Sequence, residues 1–231
     1  MVFGGATDFE SKGVLKSKIC LRNIWTFDLE ERKWSEVEVE GPDLAGRQNM
    51  ALCLHEGSIY LHGGCKMFKQ VCDEFYKFDL STRRWSELKV VGKNLELSHH
   101  TLTPYTLPNG RIVFLLFGGV DKDNFPQNRL LLLSFKTENI LKAMELPNHS
   151  KLQPLARFNH SCEVYQNRYL LVYAGRNDFL FGVGAQKGEI AVNDLIAYDL
   201  FELRWNYFFA YGYHPPARWA AGFLLYWNEK G

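Results

Sequence analysis

The sequence predicts an all-β fold assembled from four imperfect copies of a four-stranded antiparallel unit. Three observations carry that reading. Glycine pairs recur every 55 to 59 residues; an aromatic-x-Asp-Leu segment follows in three copies and leads to tryptophan; and a short polar turn opens each copy. No window of ten or more residues carries convincing amphipathic-helix spacing.

The pairs come first, because a fixed period decides the fold before any local signal does. Val2-Phe3-Gly4-Gly5 recurs as Leu61-His62-Gly63-Gly64, then as Leu116-Phe117-Gly118-Gly119, and degenerates to Val172-Tyr173-Ala174-Gly175. The second signature runs Trp25-Thr26-Phe27-Asp28-Leu29 to Trp34, Tyr76-Lys77-Phe78-Asp79-Leu80 to Trp85, and Ile196-Ala197-Tyr198-Asp199-Leu200 to Trp205. The third opens the copies: Gly46-Arg47-Gln48-Asn49-Met50, Leu97-Ser98-His99-His100-Thr101, Ala156-Arg157-Phe158-Asn159-His160-Ser161 and Ala217-Arg218-Trp219-Ala220-Ala221. Each copy reads as four short strands joined by polar turns. The first is Met50 to Leu54, Leu102 to Thr106, His160 to Tyr165 or Trp219 to Tyr226. The second ends in the glycine pair, the third carries the aromatic-x-Asp, and the fourth carries the tryptophan.

These residues and spacings resemble the Kelch repeat, and the resemblance covers nearly the whole chain. It implies a β-propeller with one repeat per four-stranded blade. Residues 1–231 then form a single propeller domain of about four repeats, with units at 1–43 (partial), 44–95, 96–153, 154–214 and 215–231 (a partial first strand). A blade cannot bury both faces alone, so blades stack on their neighbours. The glycines Gly4, Gly5, Gly63, Gly64, Gly118, Gly119 and Gly175 would let the chain leave the second strand with unusual dihedrals. Trp34, Trp85 and Trp205 would fill the space between blades, each worth about 4 to 6 kcal/mol as an upper bound.

The third copy departs most. It offers Leu141 where the others have tryptophan, and is expected to be the least stable blade. The fourth has Ala174 for the first glycine and a long Gly-bearing insertion from Asn177 to Ala191. The sequence begins inside a second strand and ends just after a first one. Either the C-terminal strand completes the N-terminal blade and closes a ring, or this is an open segment of a larger propeller, which a truncated chain or gene model would give. An open ring would favour self-association.

Composition narrows the function. A net charge of +1 gives no basic face for nucleic acid, and no apolar run approaches the roughly 20 residues of a membrane span. Five cysteines without a C-x-x-C pair predict neither a disulfide framework nor a zinc site. The expected compartment is reducing and cytoplasmic, the nucleus not being excluded.

The Kelch resemblance places partners on one rim, on the loops from the fourth strand to the next first strand and from the second to the third. The first class gives Arg47, Gln48 and Asn49; Ser98, His99 and His100; Arg157, Phe158 and Asn159; and Arg218 and Trp219. The second gives Thr7 and Asp8; Lys66 and Met67; Asp121 and Lys122; and Arg176, Asn177 and Asp178. Arg47, Arg157 and Arg218 occupy equivalent places. Converging arginines would suit an acidic partner, since guanidinium grips carboxylates bidentately; alternatively each bonds turn carbonyls or a neighbouring acid. Phe158 and Trp219 read as partner anchors or as packing between blades. No catalytic, metal or cofactor site is expected. Adjacent His99 and His100 face opposite ways on a strand, His160 reads as structural, and Gly182-Val183-Gly184 lacks a strand-turn-helix context.

The function expected is therefore a protein-interaction scaffold or adaptor that binds a protein or peptide through rim loops. The alternatives are a Kelch-fold enzyme or small-molecule binder that draws on Asp121, Asp178 and Arg157 in a central pocket, or a truncated propeller with little independent function.

Overall fold

The computed structural model describes residues 1–11, 14–67, 70–178, 190–208 and 211–225. It divides into two compact units: Met1–Val90 with Asn94–Ser98, and Val91–Lys93 with His99–Gly231. Among the described residues there is no α-helix.

The first unit opens with β1 (Val2–Phe3), an arm of β2 (Ala6–Ser11) paired with β3 (Val14–Cys20), then β4 (Ile24–Asp28) and β5 (Lys33–Glu36). β1, β4 and β5 make a three-stranded first blade. The second blade is the meander β6 (Ala51–His55), β7 (Ser58–His62), β8 (Phe75–Asp79) and β9 (Arg84–Gly92). In the second unit the third blade is β10 (Thr101–Thr106), β11 (Ile112–Phe117), β12 (Leu130–Thr137) and β13 (Ile140–Glu145). The fourth has β14 (Ser161–Tyr165) and β15 (Tyr169–Tyr173), a two-residue ladder of β16 (Arg176–Asn177) with β17 (Ile190–Ala191), then β18 (Leu195–Asp199) and β19 (Arg204–Tyr207). Every named strand pair is antiparallel, as expected of blades.

The repeat signatures now have physical roles. The aspartate of aromatic-x-Asp-Leu caps the turn into the fourth strand. Asp28 Oδ1 accepts from the Glu30 and Glu31 amides at 2.8 Å each, Asp79 Oδ1 from Ser81 and Thr82 at 2.9 Å each, and Asp199 Oδ1 from Phe201 and Glu202 at 2.9 and 3.1 Å. Those amides would otherwise lack partners within a tight turn.

The second member of each glycine pair ties a blade to the loop that opens the next copy. Its N–H donates to a carbonyl: Gly5 to Arg47 at 3.0 Å, Gly64 to Leu97 at 2.9 Å, Gly119 to Arg157 at 2.9 Å and Gly175 to Arg218 at 3.0 Å. The first member lies at φ +64, +64 and +66° in Gly4, Gly63 and Gly118. At Gly118 a Cβ would sit 2.6 Å from both the Arg157 carbonyl oxygen and His160 Cε1, so no side chain fits. Ala174 keeps the same geometry at φ 61°, which costs an L-residue about 1 to 2 kcal/mol.

Within each unit one blade's second strand covers the next blade's indole. Phe3, just before Gly4, lies 5.3 Å from Trp85, in a cluster with Ile24, Leu61, Tyr76 and Phe78. Phe117, just before Gly118, lies 5.0 Å from Trp205, in a cluster with Val113, Leu115, Leu130, Val172, Ile196 and Tyr198. Both indoles are buried, as the repeat predicts.

Four expectations are corrected. Trp34 is 52% exposed and touches Phe27 of its own sheet at 5.1 Å, because no second strand covers it among the described residues. In the third blade the register puts Ala143, opposite Leu133, where Trp85 stands opposite Phe78. Gly92 backs onto the Ala143 carbonyl as Gly41 backs onto that of Trp85. Leu141, opposite Phe135, fills the remaining space and is fully buried. Thr7 and Asp8 lie on the β2 arm rather than in a loop. The expected first strand from Trp219 to Tyr226 forms no strand over its described part, 219–225. Instead the Ala220 amide bonds the Asn159 carbonyl at 2.8 Å, and Phe223 lies 5.6 Å from Tyr173. Of the Asn177–Ala191 insertion only its base is described; Gly182, Val183 and Gly184 lie outside the described residues.

Burial separates two residues that the repeat makes equivalent. Trp205→Ala should cost about 3 to 5 kcal/mol of unfolding free energy, and Trp34→Ala under about 1 kcal/mol. Urea denaturation of the two variants checks this; equal losses would refute the difference in packing.

Candidate functional site

Each loop that follows a fourth strand has, among its described residues, one non-glycine residue in the left-handed region: Asn49 at φ 57°, His99 at 58°, Asn159 at 53° and Ala220 at 53°. Asparagine and histidine tolerate that conformation better than most residues. In the second unit these loops also bond one another: the Asn159 amide donates to the His99 carbonyl at 3.1 Å, as Ala220 does to Asn159. The rim is therefore set by backbone, and its side chains stand at repeating positions.

Two of the three equivalent arginines turn inward. Arg47 is buried; its guanidinium donates to the Ala45 carbonyl at 3.3 Å, the Gly63 carbonyl at 3.2 Å and Glu74 at 3.4 Å. Burial alone would raise Glu74, but the hydrogen bond from Lys66, 2.6 Å away, and the charge of Arg47 hold its carboxyl below the usual range. Arg157 is also buried. It donates to the Leu155 and Ala174 carbonyls at 3.1 Å each, and grips Asp194 with two bonds of 2.6 and 2.8 Å. Both guanidiniums thus hold the first residue of the glycine pair and an acid that precedes the third strand. Arg218 alone is exposed, its Nε on the Pro216 carbonyl at 3.0 Å.

The sequence reading named the arginines but missed Glu74 and Asp194. A signal was present. Each acid immediately precedes the third strand of its copy, whereas the third copy has Leu97 for the arginine and Arg129 for the acid. The pair changes together.

The second unit gathers most of the predicted rim side chains. The Arg176 guanidinium lies 5.0 Å from the Phe158 ring and 5.3 Å from the Trp219 ring. Asp178 fixes its plane through bonds of 3.0 and 2.7 Å. His99 meets Phe158 edge-on at 5.8 Å, and burial together with the charge of Arg176 lowers its pKa, so at neutral pH it presents an uncharged ring. Asn177 Nδ2 donates to the Ala156 carbonyl at 2.6 Å and pins the base of the arm. Trp219 remains 41% exposed, beside exposed Arg218.

The other candidates are placed as follows. Ser98 and His100 are buried, and Asn49 Nδ2 reaches Cys65 Sγ at 3.8 Å. Asp121 is taken up by its own loop, accepting from the Asp123 and Phe125 amides at 3.0 and 2.9 Å and from Gln127 Nε2 at 2.8 Å. His160 is buried, with Nε2 3.1 Å from the Thr101 hydroxyl and its ring 5.2 Å from Phe117, in keeping with a structural role. Among the described residues no three His, Cys, Asp or Glu side chains converge as metal ligands, and no helix is long and apolar enough to cross a membrane. The five cysteines are free.

Comparison with known proteins agrees with this architecture. The family model for the Attractin/LZTR1 beta-propeller matches residues 1–221. Kelch domain-containing protein 10 of Homo sapiens is 22% identical over 206 residues, which cover 89% of this chain and 42% of that protein. The protein of the same name from Xenopus tropicalis is 22% identical, and there the match covers 46%. The chain thus spans under half the length of these relatives. The solved structure of YjhT superposes with a TM-score of 0.64 at 14% identity, over 89% of this chain and 66% of that one.

Removing a buried, bonded charge strands its partner, so Arg157→Ala should cost about 3 to 5 kcal/mol while Arg218→Ala changes stability by less than about 0.5 kcal/mol. Thermal and urea melts distinguish the two. A pH effect follows from His62, whose pKa burial and the charge of Arg47 push down to about 3 from 6.5. Between those values the unfolded chain binds a proton that the fold refuses. Stability therefore falls as pH drops from 6.5 towards 3, by up to about 1.4 kcal/mol per pH unit. Phenylalanine stands at this position in two other copies, and His62→Phe should reduce the slope in urea titrations at pH 7, 6 and 5 by that amount, leaving the share of His160, whose pKa burial and the charge of Arg157 likewise push down to about 3. An unchanged slope would refute it.

Proposed function

The chain belongs to the Attractin/LZTR1 beta-propeller family, and on that premise we propose that it is a binding module, not a catalyst, which captures a peptide segment of a partner protein on the rim of the second unit. One observation carries the proposal: the Arg176 guanidinium, paired with Asp178, lies over both the Phe158 and the Trp219 rings, and that indole stays 41% exposed. Half-exposed aromatics on a rigid base make good anchors, because little side-chain entropy remains to be lost when a partner docks. Exposed Arg218 adds a cation next to that anchor and favours an acidic or carboxylate-bearing segment.

The groups that a catalytic reading requires have other work. Arg157 is committed to Asp194, Asp178 to Arg176, and Asp121 to its own loop. These pairings support binding over chemistry.

Selection from a random peptide library tests the proposal. The native chain should enrich peptides rich in Asp and Glu with an apolar residue nearby. Trp219→Ala should weaken their binding tenfold or more without altering the melting temperature, and Arg218→Glu should abolish the acidic preference. Equal binding by native and Trp219→Ala protein would remove the rim from the function.

A further inference from the structure

A cavity of about 300 Å³ opens in the first unit beside the connector from β5 to β6, and it shares no residue with the rim. Ile24, Leu44 and Trp85, all buried, form its floor, and the exposed side chains of Arg22, Glu36 and Asp43 stand at its mouth. Backbone holds the walls. The Val37 amide donates to the Ile24 carbonyl at 2.9 Å, Glu40 to the Arg83 carbonyl at 3.0 Å, and Trp85 to the Glu40 carbonyl at 2.8 Å. Gly41, at φ +104°, packs so closely that a Cβ would sit 2.2 Å from the Trp85 carbonyl oxygen. The cavity is therefore formed in advance, and a ligand need not order it.

The second unit ties down the same place. Its connector from β13 to β14 makes the matching backbone bonds, Leu146 to Leu130 and His149 to Leu203, at 2.9 Å each. There the Tyr198 hydroxyl donates to the Pro147 carbonyl at 2.5 Å, Asn148 Oδ1 accepts from the Trp205 amide at 3.3 Å, and Leu146 and Leu152 pack against the cluster around that indole. In the first unit Phe78 stands where Tyr198 does and has no hydroxyl to give, while Glu38 and Val39 replace Pro147 and Asn148.

Charge selects what the cavity can take. Residues 36–43 include Glu36, Glu38, Glu40 and Asp43 and no Lys, Arg or His. Arg22 pairs with Asp43 at 2.5 Å, and Arg84 with Glu40 at 3.2 Å. Glu36 instead accepts from the uncharged Asn23 amide, and among the described residues neither Glu36 nor Glu38 forms an ion pair. The fitting group has an apolar stem, which loses water against Ile24 and Trp85, and a cationic end, which meets the Glu36 carboxylate. An anion would have to draw Arg22 away from Asp43 and enter a negative field. We propose that this cavity is a second binding site, which receives a lysine or arginine side chain from a basic segment of a partner protein.

Nuclear magnetic resonance of the ¹⁵N-labelled chain tests this, with terminally blocked glycine-serine peptides that carry a central arginine, lysine or norleucine. The arginine and lysine peptides should shift the Trp85 indole N–H and the Ile24 and Val37 amides saturably. The norleucine peptide has the apolar stem without the charge, and should bind about tenfold more weakly or less. Glu36→Gln should weaken the basic peptides about tenfold with the melting temperature unchanged. Trp219→Ala should leave this binding intact, which separates the cavity from the rim. Shifts that do not saturate, or equal affinity for the norleucine peptide, overturn the proposal. So does tighter binding of spermidine than of either basic peptide, which would make this a site for free polyamines.

Discussion

A four-stranded blade has two pleated faces and no other layer of its own to bury them. Stability comes when a second blade lies flat on the first, and flatness depends on how the chain passes from one blade to the next. Here that passage is marked by a repeated backbone hydrogen bond, from the second glycine of each pair to the carbonyl two residues before the left-handed turn of the following loop. The bond needs the backbone to come so close that, at Gly118, a methyl group would meet a carbonyl oxygen. Once it is made, the aromatic before the pair is aimed at the next indole, as Phe3 is at Trp85 and Phe117 at Trp205.

The arginines belong to the same device. Arg47 and Arg157 each hold the carbonyl of the first residue of a pair, Gly63 or Ala174, and an acid at the head of the third strand. Such a buried ion pair adds little net stability over an apolar isostere, but it penalises any other register, because a displaced strand would leave a buried charge without its partner. The third copy shows an apolar solution. Leu97 replaces the arginine, and the blade relies on long strands and on leucine packing in β11, β12 and β13.

Period and residue type were enough to read the four-stranded pattern of the second, third and fourth blades and the burial of Trp85 and Trp205 from the sequence, but not the β2–β3 arm or the absence of a strand over 219–225. Burial of Trp34 was not legible, because a motif reports what a residue needs and not whether a neighbour supplies it. Leu141 was misassigned for a different reason: the β12–β13 hairpin is longer than its counterpart in the second blade and carries a bulge between Phe135 and Thr137, so Ala143 rather than Leu141 comes opposite Leu133, and spacing counted along the chain cannot see that. The inward turn of Arg47 and Arg157, against the outward position of Arg218, was visible only once the acids at 74 and 194 were considered with them.

That difference also bears on how the rim acts. A scaffold position repeated around a propeller can serve recognition through whatever interactions its side chain has left to make. Among the described residues Arg218 is exposed and bonds the Pro216 carbonyl through its side chain, whereas Arg157 is buried with three carbonyl or carboxylate partners. Trp219 next to Arg218 has Arg176 5.3 Å from its ring and stays 41% exposed. On the binding proposal, recognition would concentrate at these exposed groups, and the regular copies would provide the stiffness that lets them bind without first having to be ordered.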